Sequence, residues 1–345
     1  MTLQELLGID LPIIQAPMAG AQGSALAVAV STAGGLGSLP CALLSPETIQ
    51  TELAAMARQT DKPFNVNFFC HPQPVPDPQR EAAWRAALSP YYQELGIDGR
   101  SIPSGPGRAS FEAQALEILA PFKPAVVSFH FGLPSASLVE QVKSLGATML
   151  SSATTVGEAR WLEERGVDAI IAQGLEAGGH RGMFLSNDLA TQVRTSALVR
   201  QIVQTVRVPV IAAGGIADAG GVAAAMALGA SGVQVGTAYL LCPEATTSAV
   251  HRAALASDAA RHTAVTNLFT GRPARGIVNR LMRELGPMSD LAPAFPLAAA
   301  AVAPLRVRAE SQGHGDFSPL WAGENASSCT NVPAADVTRE LTVLL

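Results

Sequence analysis

Short apolar runs, each followed by a stretch with helix-forming features, recur along most of the chain. The runs cover residues 11–18, 35–39, 64–69, 125–131, 148–153, 168–173, 208–213 and 232–236. Several of them, such as VPVIAA and AVVSFHF, are apolar without regular alternation, which is typical of parallel strands buried on both faces. Eight such units predict an α/β fold, a (β/α)8 TIM barrel. A doubly wound open sheet is the alternative, because a strand count does not establish closure.

The segments between these runs carry the sequence features of helix ends. Thr155 and Glu158 have the spacing of a capping box, which predicts that a helix begins there. Asp218 is predicted to open a helix over 219–228, and Gly229 is predicted to close it. The chain therefore alternates strand and helix in the manner that a parallel barrel requires.

Two long insertions follow predicted strands. Residues 70–123 are rich in proline and predict an excursion over the top of the barrel with one or two helices. Residues 174–194 predict a long loop after the sixth strand. Loops that follow strands build the active-site face of a barrel, so both insertions are expected on that face.

The β–α repeat ends after the eighth strand. Residues 243–308 read as consecutive helices with no strand between them. This pattern predicts a small helical cap or substrate domain, residues 243–309, over the mouth of the barrel. The barrel itself is then formed by residues 1–242 and 310–345.

Composition narrows the classes of protein and partner. Of 345 residues, 48% are hydrophobic and 15% are charged, and the net charge is −5. These values exclude intrinsic disorder, and with no basic cluster a nucleic-acid partner is not expected. No run reaches about 18 apolar residues and the N-terminus lacks the pattern of a signal peptide, so no membrane helix and a cytoplasmic location are predicted.

The cysteines and histidines show no metal-binding pattern. Cys41, Cys70, Cys242 and Cys329 are far apart and form no CxxC pair. They are predicted to be reduced thiols, and no metal site is predicted. No HExxH, GxGxxG or GxSxG motif of the corresponding enzyme classes occurs.

Glycine-rich loops follow the seventh and eighth predicted strands. Their residues are Ala213, Gly214, Gly215, Gln234, Val235, Gly236 and Thr237. Glycine lets the backbone approach a ligand closely, and free amides can bind an anion. Barrels often hold a phosphate group at these two loops. The pair therefore predicts a phosphate site, with two ordinary strand-to-helix turns as the alternative.

A histidine surrounded by glycines follows the sixth predicted strand. His180 lies in GLEAGGHRG, where it cannot serve helix packing and where its imidazole can act as a base near neutral pH. A backbone-bonded loop histidine is the alternative. Glu176 is expected to orient this loop. Arg181 is a candidate contact for a phosphate or carboxylate, or else a solvated arginine.

Other strand ends supply polar or apolar candidates. Asn67 lies towards the carboxyl end of the third strand and is a candidate hydrogen-bond partner for a bound ring. His130 ends the fourth strand and is a candidate substrate residue, with a structural role as the alternative. Ala16, Pro17 and Met18 end the first strand and predict an apolar floor for a ring, and Met18 is also a candidate substrate contact.

Together these motifs resemble those of the nitronate monooxygenases, formerly called 2-nitropropane dioxygenases. The matching segments are LPIIQAPMAG, GGLGSLP, FNVNFF, SFHFGLP, AQGLEAGGHRG, VIAAGGIAD, GVQVGTAYLLCPEA, FTGRPARGIVN and PLWAGEN. AAGGI and QVGT occur in many flavin-dependent barrels. EAGGHRG combined with SFHFG is more specific and resembles the class I branch of the family.

The resemblance implies a barrel that binds FMN non-covalently and oxidises alkyl nitronates, typically propionate 3-nitronate, with O2 to a carbonyl product and nitrite. The FMN contacts that it implies, together with the loops and the floor described above, are Ala16, Pro17, Met18, Asn67, Gln173, Gly178, Gly179, Ala213, Gly214, Gly215, Gln234, Val235, Gly236 and Thr237. It makes His180 the base or the residue that orients the nitronate. A nitronate and O2 are the expected partners of a monomer or homodimer.

The chain departs from the family pattern in two places. Family members often carry tyrosines in a YP context where this chain has Phe295 before a proline, followed by the apolar residues 297–301. Phe295 is therefore a candidate substrate contact, and a preference for bulkier or more apolar nitronates is expected. Glu324 stands in AGEN where AGQ is common, so an altered flavin or substrate contact is expected there.

Two other functions stay open on the same fold. One is an NAD(P)H-dependent FMN reductase of the enoyl or quinone reductase type. The other is a flavin-free barrel that binds a phosphorylated metabolite.

Overall fold

Eight parallel strands form one sheet in the computed structural model, which describes residues 1–99, 102 and 110–345. The strands of the chain are β1 (Ile13–Gln15), β2 (Gly37–Pro40), β3 (Phe64–Phe69), β4 (Val126–His130), β5 (Thr148–Ala153), β6 (Ala169–Gln173), β7 (Gly179–His180), β8 (Val210–Ala213), β9 (Gly232–Val235), β10 (Thr263–Thr266) and β11 (Ala274–Ile277). Each of the eight predicted runs overlaps a strand of this sheet.

The sheet closes on itself. Its strand order is β1-β9-β8-β6-β5-β4-β3-β2, and every neighbouring pair is parallel. A parallel bridge joins Ile14 to Leu36, where Leu36 N donates to the carbonyl of Ile13 at 2.9 Å. This bridge connects the two end strands, so the (β/α)8 barrel is confirmed and the open sheet is excluded.

Helices cover the outside of the barrel and form much of the cap. They are α1 (Leu3–Leu7), α2 (Ser24–Thr32), α3 (Pro46–Gln59), α4 (Pro78–Glu94), α5 (Ala113–Leu119), α6 (Ala136–Ser144), α7 (Val156–Glu164), α8 (Thr195–Val203), α9 (Ala219–Ala227), α10 (Ala249–Leu255), α11 (Arg280–Leu285), α12 (Ala298–Ser311) and α13 (Ala334–Glu340). Buried aliphatic residues of α2, α3, α6, α7, α8 and α9 pack on the outward faces of the strands.

The predicted helix starts are present, with one difference. Asp218 caps α9 through its side chain, and Thr155 caps α7 by accepting a hydrogen bond from Glu158 N. The second half of the predicted capping box is not formed. The buried carboxylate of Glu158 instead accepts from Thr154 N and Phe184 N, at 2.7 and 2.6 Å. It thus joins α7 to the loop after β7.

The cap contains a small sheet as well as helices, so the prediction of no strand within 243–308 is wrong. Strands β10 and β11 pair antiparallel, and β11 also pairs with β7, where Ala274 lies opposite His180. Each of these strands has at most four residues. Such short segments lack the length by which an apolar strand is recognised.

The predicted excursion after β3 packs against the cap. It contains two helices, α4 and α5, as predicted, while residues 100, 101 and 103–109 of the excursion lie outside the described residues. Helix α4 packs on α12, where Trp84 Nε1 donates to the carbonyl of Ala298 and Tyr92 OH to that of Ala301. The division into a barrel (1–242 and 310–345) and a cap (243–309) stays a prediction.

Across the residues that the structure describes, no helix combines the length and apolar character needed to cross a membrane.

Candidate active site

A cavity of about 260 Å³ opens at the carboxyl ends of the barrel strands, beneath the cap. The predicted site residues that line it are Ala16, Pro17, Met18, Asn67, His130, Gln173, Gly178, Gly179, His180, Ala213, Gly214, Gly215, Gln234, Gly236 and Thr237. They come from the ends of six barrel strands. The register of a closed barrel therefore brings together segments that are up to about two hundred residues apart.

Two predicted residues do not line the cavity. Val235 is buried in the barrel core. Phe295 is buried in an aromatic cluster behind the cavity, with its ring centroid 5.3 Å from that of His180. Direct contact of either residue with a ligand stays a prediction.

The two glycine loops leave backbone amides free at the cavity wall. Gly214 and Gly215 have φ values of +121° and +72°, which side chains rarely adopt. Within the described part of the chain, the amides of Gly215, Gly236 and Thr237 have no hydrogen-bond acceptor. Free amides at adjacent strand ends form a suitable cradle for an anion.

The cradle leaves no room for larger residues. A Cβ atom added to Gly178 would lie 2.6 Å from the backbone of Ala322, and one added to Gly236 would lie 3.2 Å from Ala16 Cβ. On the same wall, Gln234 Oε1 is buried without a partner among the described residues. An unpaired buried acceptor costs free energy unless a ligand or water supplies a donor.

His180 is held over the cavity in an extended segment. Its Nε2 lies 2.9 Å from Thr270 Oγ1, which follows β10. Its ring centroid lies 5.3 Å from that of Phe295 and 5.4 Å from that of Trp321, and the residue is buried. The imidazole is therefore fixed by contacts with the cap and the C-terminal segment.

The backbone of His180 is fixed from the barrel side. Its carbonyl accepts hydrogen bonds from Gln173 Nε2 at 3.0 Å and from His130 Nε2 at 3.1 Å. Gln173 Oε1 also accepts from Gly182 N at 2.7 Å, so this side chain clamps the loop. The His130 bond requires a proton on Nε2, because a carbonyl oxygen can only accept.

These contacts give His130 a supporting role in the loop, while its direct contact with a substrate stays a prediction. Its Nδ1 lies 3.0 Å from Ser152 Oγ, which completes its hydrogen bonding. Burial lowers the pKa of His130 to about 3. The imidazole is therefore neutral at physiological pH and acts on His180 through the backbone.

Arg181 has neither of the roles expected for it. The side chain is fully buried, and its guanidinium donates to the carbonyls of Gly174 and Gln173, at 2.6 and 2.8 Å, and to Gln192 Oε1. The sequence could not show this because Gln192 lies eleven residues further along the chain. Arg181 thus closes the loop after β6 on itself.

The two acidic residues near the loops form ion pairs. Glu176 accepts from the amide and hydroxyl of Thr195, which supports the expected orienting role. Glu324 lies 3.1 Å from Arg275 and 3.3 Å from Arg194. Its carboxylate joins the C-terminal segment to the cap and to the start of α8. The expectation of an altered flavin or substrate contact at Glu324 stays untested.

The cavity also has lining residues that the sequence did not predict. They include Phe69, Ser152, Leu240, Thr247, Ser248, His251, Arg306 and Trp321. Trp321 lies in PLWAGEN, so the motif was a usable indication of its position. His251 and Arg306 lie on α10 and α12, and nothing local in the sequence indicates that these helices face the cavity.

Acidification should destabilise the fold between pH 7 and pH 5. Burial lowers the pKa of His130 to about 3 and that of His251 to about 4, from an ordinary 6.5. Below pH 6.5 the unfolded chain therefore binds more protons than the folded chain. As the pH is lowered through this range, the free energy of unfolding decreases. The expected loss by pH 5 is about 2 kcal/mol for each histidine.

Urea unfolding at pH 7 and pH 5 measures this loss. His130→Gln should show a smaller difference between the two pH values than the unmodified chain. His262→Gln, at an exposed position, should leave the difference unchanged. An unchanged pH dependence in His130→Gln would contradict the assignment.

Comparison with known proteins gives one family. A family model described as nitronate monooxygenase matches residues 1–343. The chain is 42% identical over 342 residues to a nitronate monooxygenase of Paraburkholderia phytofirmans, covering 98% of this chain and 93% of that protein.

Solved structures agree with that result. A structure described as nitroalkane oxidase from Streptomyces ansochromogenes superposes with a TM-score of 0.89 at 36% identity, covering 98% of this chain and 96% of the other. FabK from Thermotoga maritima superposes with a TM-score of 0.73 at 28% identity, covering 99% and 94%.

Proposed function

This chain belongs to the nitronate monooxygenase family, and on that basis we propose that it oxidises alkyl nitronates with FMN and O2, releasing nitrite and a carbonyl product. The observation that carries the proposal is the fixed position of His180 over a cavity whose opposite loops offer free backbone amides. His180 suits an anionic substrate, and the free backbone amides suit the phosphate of a cofactor.

The residues present fit FMN. The amides of Gly215, Gly236 and Thr237 would hold the phosphate, as free amides hold anions in other barrels. Gln234 Oε1 needs a donor, which the ribityl hydroxyls or ring of FMN carry. The wall formed by residues 16–18 offers an apolar floor for the ring.

When bound, FMN supplies the redox chemistry by taking electrons from the substrate and passing them to O2. The protein supplies position and charge. His180 donates a hydrogen bond to the negatively charged nitro group of a nitronate and so orients the substrate carbon. If a neutral nitroalkane enters instead, the same imidazole takes the proton from the carbon beside the nitro group.

The arrangement around His180 keeps the imidazole in one place for either role. Gln173 and His130 hold the backbone, while Thr270 meets the ring nitrogen. A histidine held at both backbone and side chain loses little freedom when substrate binds, and fixed geometry of this kind favours reaction.

Nitrite release tests the proposal. The purified protein should show flavin absorption and should release nitrite from propionate 3-nitronate in air without NADH or NADPH. Removing O2 should stop the release. Rapid NADH oxidation without a nitronate would instead support the FMN reductase, and a colourless protein that retains a phosphorylated metabolite would support the flavin-free barrel.

A further inference from the structure

One part of the cavity wall carries polar groups that the proposed reaction does not use. Thr247, His251 and Arg306 line it, together with the hydroxyl of Ser248. Thr247 and His251 are more than nine-tenths buried. Thr247 Oγ1 and His251 Nε2 have no hydrogen-bond partner among the described residues. Two unpaired buried polar atoms on one wall indicate that a ligand completes this region.

The charged side chains of the cavity lining indicate that this ligand is an anion. Arg306 is the only arginine or lysine among the described lining residues, and no aspartate or glutamate is among them. Glu310 lies outside the lining and holds Arg306 through its Nε at 2.8 Å. The terminal nitrogens of the guanidinium have no recorded bond in the described part of the chain, so they can bind an anion.

Helix α12 presents this arginine to the cavity while several of its apolar residues are buried elsewhere. Ala298, Ala301 and Val302 of α12 are buried in the cap core, where the carbonyls of the first two accept from Trp84 and Tyr92 of α4. The apolar stretch that favoured apolar nitronates therefore does not line the cavity. Arg306 is the residue of α12 that does.

We propose that Thr247, His251 and Arg306 form a binding site for a carboxylate at the far end of the nitronate substrate. This inference rests on the proposed function. Thr247 Oγ1 and the terminal nitrogens of Arg306 would donate to the carboxylate. Arg306 is 44% exposed, so the charged tail stays near the cavity mouth and is not fully dehydrated.

His251 adds to this site when the tail is present. Burial and Arg306 hold its imidazole neutral, whereas Glu310 and the backbone of Trp321 act in the opposite direction. A carboxylate beside Nε2 favours protonation of that atom, which then becomes a third donor.

The test compares two substrates that differ only in the tail, propionate 3-nitronate and propyl-1-nitronate. For Arg306→Met, KM for propionate 3-nitronate should rise about tenfold, the lower end of the range for hydrogen bonds to charged groups, because the site is partly exposed. KM for propyl-1-nitronate should change less than twofold, and FMN content should be unchanged. Arg306→Lys should recover part of the loss.

Arg308→Met is the matched control, since Arg308 is exposed on the same helix and does not line the cavity. It should leave both KM values unchanged. An equal rise for both substrates in Arg306→Met would overturn the proposal, as would no rise for either. Loss of FMN would also overturn it, because the arginine would then serve the cofactor.

Calorimetry with 3-nitropropionate and 1-nitropropane separates this proposal from the proposed function. If the unmodified protein turns over no nitronate, the proposed function fails. The tail site is then supported if 3-nitropropionate binds at least about tenfold more tightly than 1-nitropropane and Arg306→Met removes the difference. Equal binding of the two compounds overturns it.

Discussion

Replacing His180 with asparagine should lower kcat/KM for propionate 3-nitronate by about 10²- to 10⁴-fold while FMN stays bound. Asparagine has a similar reach but cannot accept a proton, and its amide is a weaker donor to an anion than an imidazole that can become charged. The proposed phosphate cradle consists of the backbone amides of Gly215, Gly236 and Thr237, which this substitution does not change, so FMN should stay bound. Stopped-flow or steady-state nitrite assays with flavin quantified by absorbance measure both quantities.

His314→Asn is the matched control for this variant. His314 is exposed and lies outside the cavity lining, so its replacement should leave nitrite release unchanged. Turnover by His180→Asn at the unmodified rate would exclude His180 from the reaction. Apoprotein after purification of His180→Asn would indicate that the histidine serves the cofactor.

Replacing Gly215 with aspartate should yield protein that is largely free of FMN. The φ of +72° strains any side chain, and a Cβ atom at this position would lie 3.1 Å from Glu176 Cβ. The new carboxylate would lie beside Glu176 and would add negative charge to the loop whose amide is proposed to bind the phosphate. Losing one charge-assisted hydrogen bond, at about 1.5–3 kcal/mol, already weakens binding at least tenfold, and charge repulsion adds to it.

Gly313→Asp is the control that distinguishes the effect of backbone strain from the effect of losing the phosphate cradle. Gly313 has a φ of +81°, and a Cβ atom there would meet nothing within 4 Å. This variant carries the same strain and charge far from the cavity, so its ratio of FMN to protein should match the unmodified chain. If Gly215→Asp retains its full FMN content, the proposal that this loop binds the phosphate is contradicted.

The barrel was predictable because its strands carry their own evidence. Parallel strands covered by helices are apolar on both faces, so β4 and β8, which lie in AVVSFHF and VPVIAA, could be assigned to within two residues of their bounds. Strands β10 and β11 have four residues each, and their stability comes from pairing with each other and with β7. That pairing depends on tertiary contacts, which leave no pattern in the local sequence.

The same distinction applies to the site. Asn67, His180 and Gly215 were predictable because barrels place ligand contacts at the carboxyl ends of their strands. Thr270 reaches His180, and Arg306 reaches the cavity, through the packing of the cap, 90 and 126 residues after His180 along the chain. Arg181 illustrates the opposite error, since a charge in a glycine-rich loop was expected to face a ligand or solvent and is instead buried by partners in its own loop.

The pairing of β7 with β11 makes the cap part of the reactive centre. The histidine segment belongs to the cap sheet through this pairing and through Arg181 N, which donates to the carbonyl of Pro273 at 2.8 Å. A displacement of the cap from the barrel would pull this segment away from Gln173 and His130. In such an open molecule His180 would no longer be held over the cavity, so that molecule could not catalyse the reaction. The fraction of molecules with the cap packed on the barrel therefore sets an upper limit on the fraction that is catalytically active at any moment.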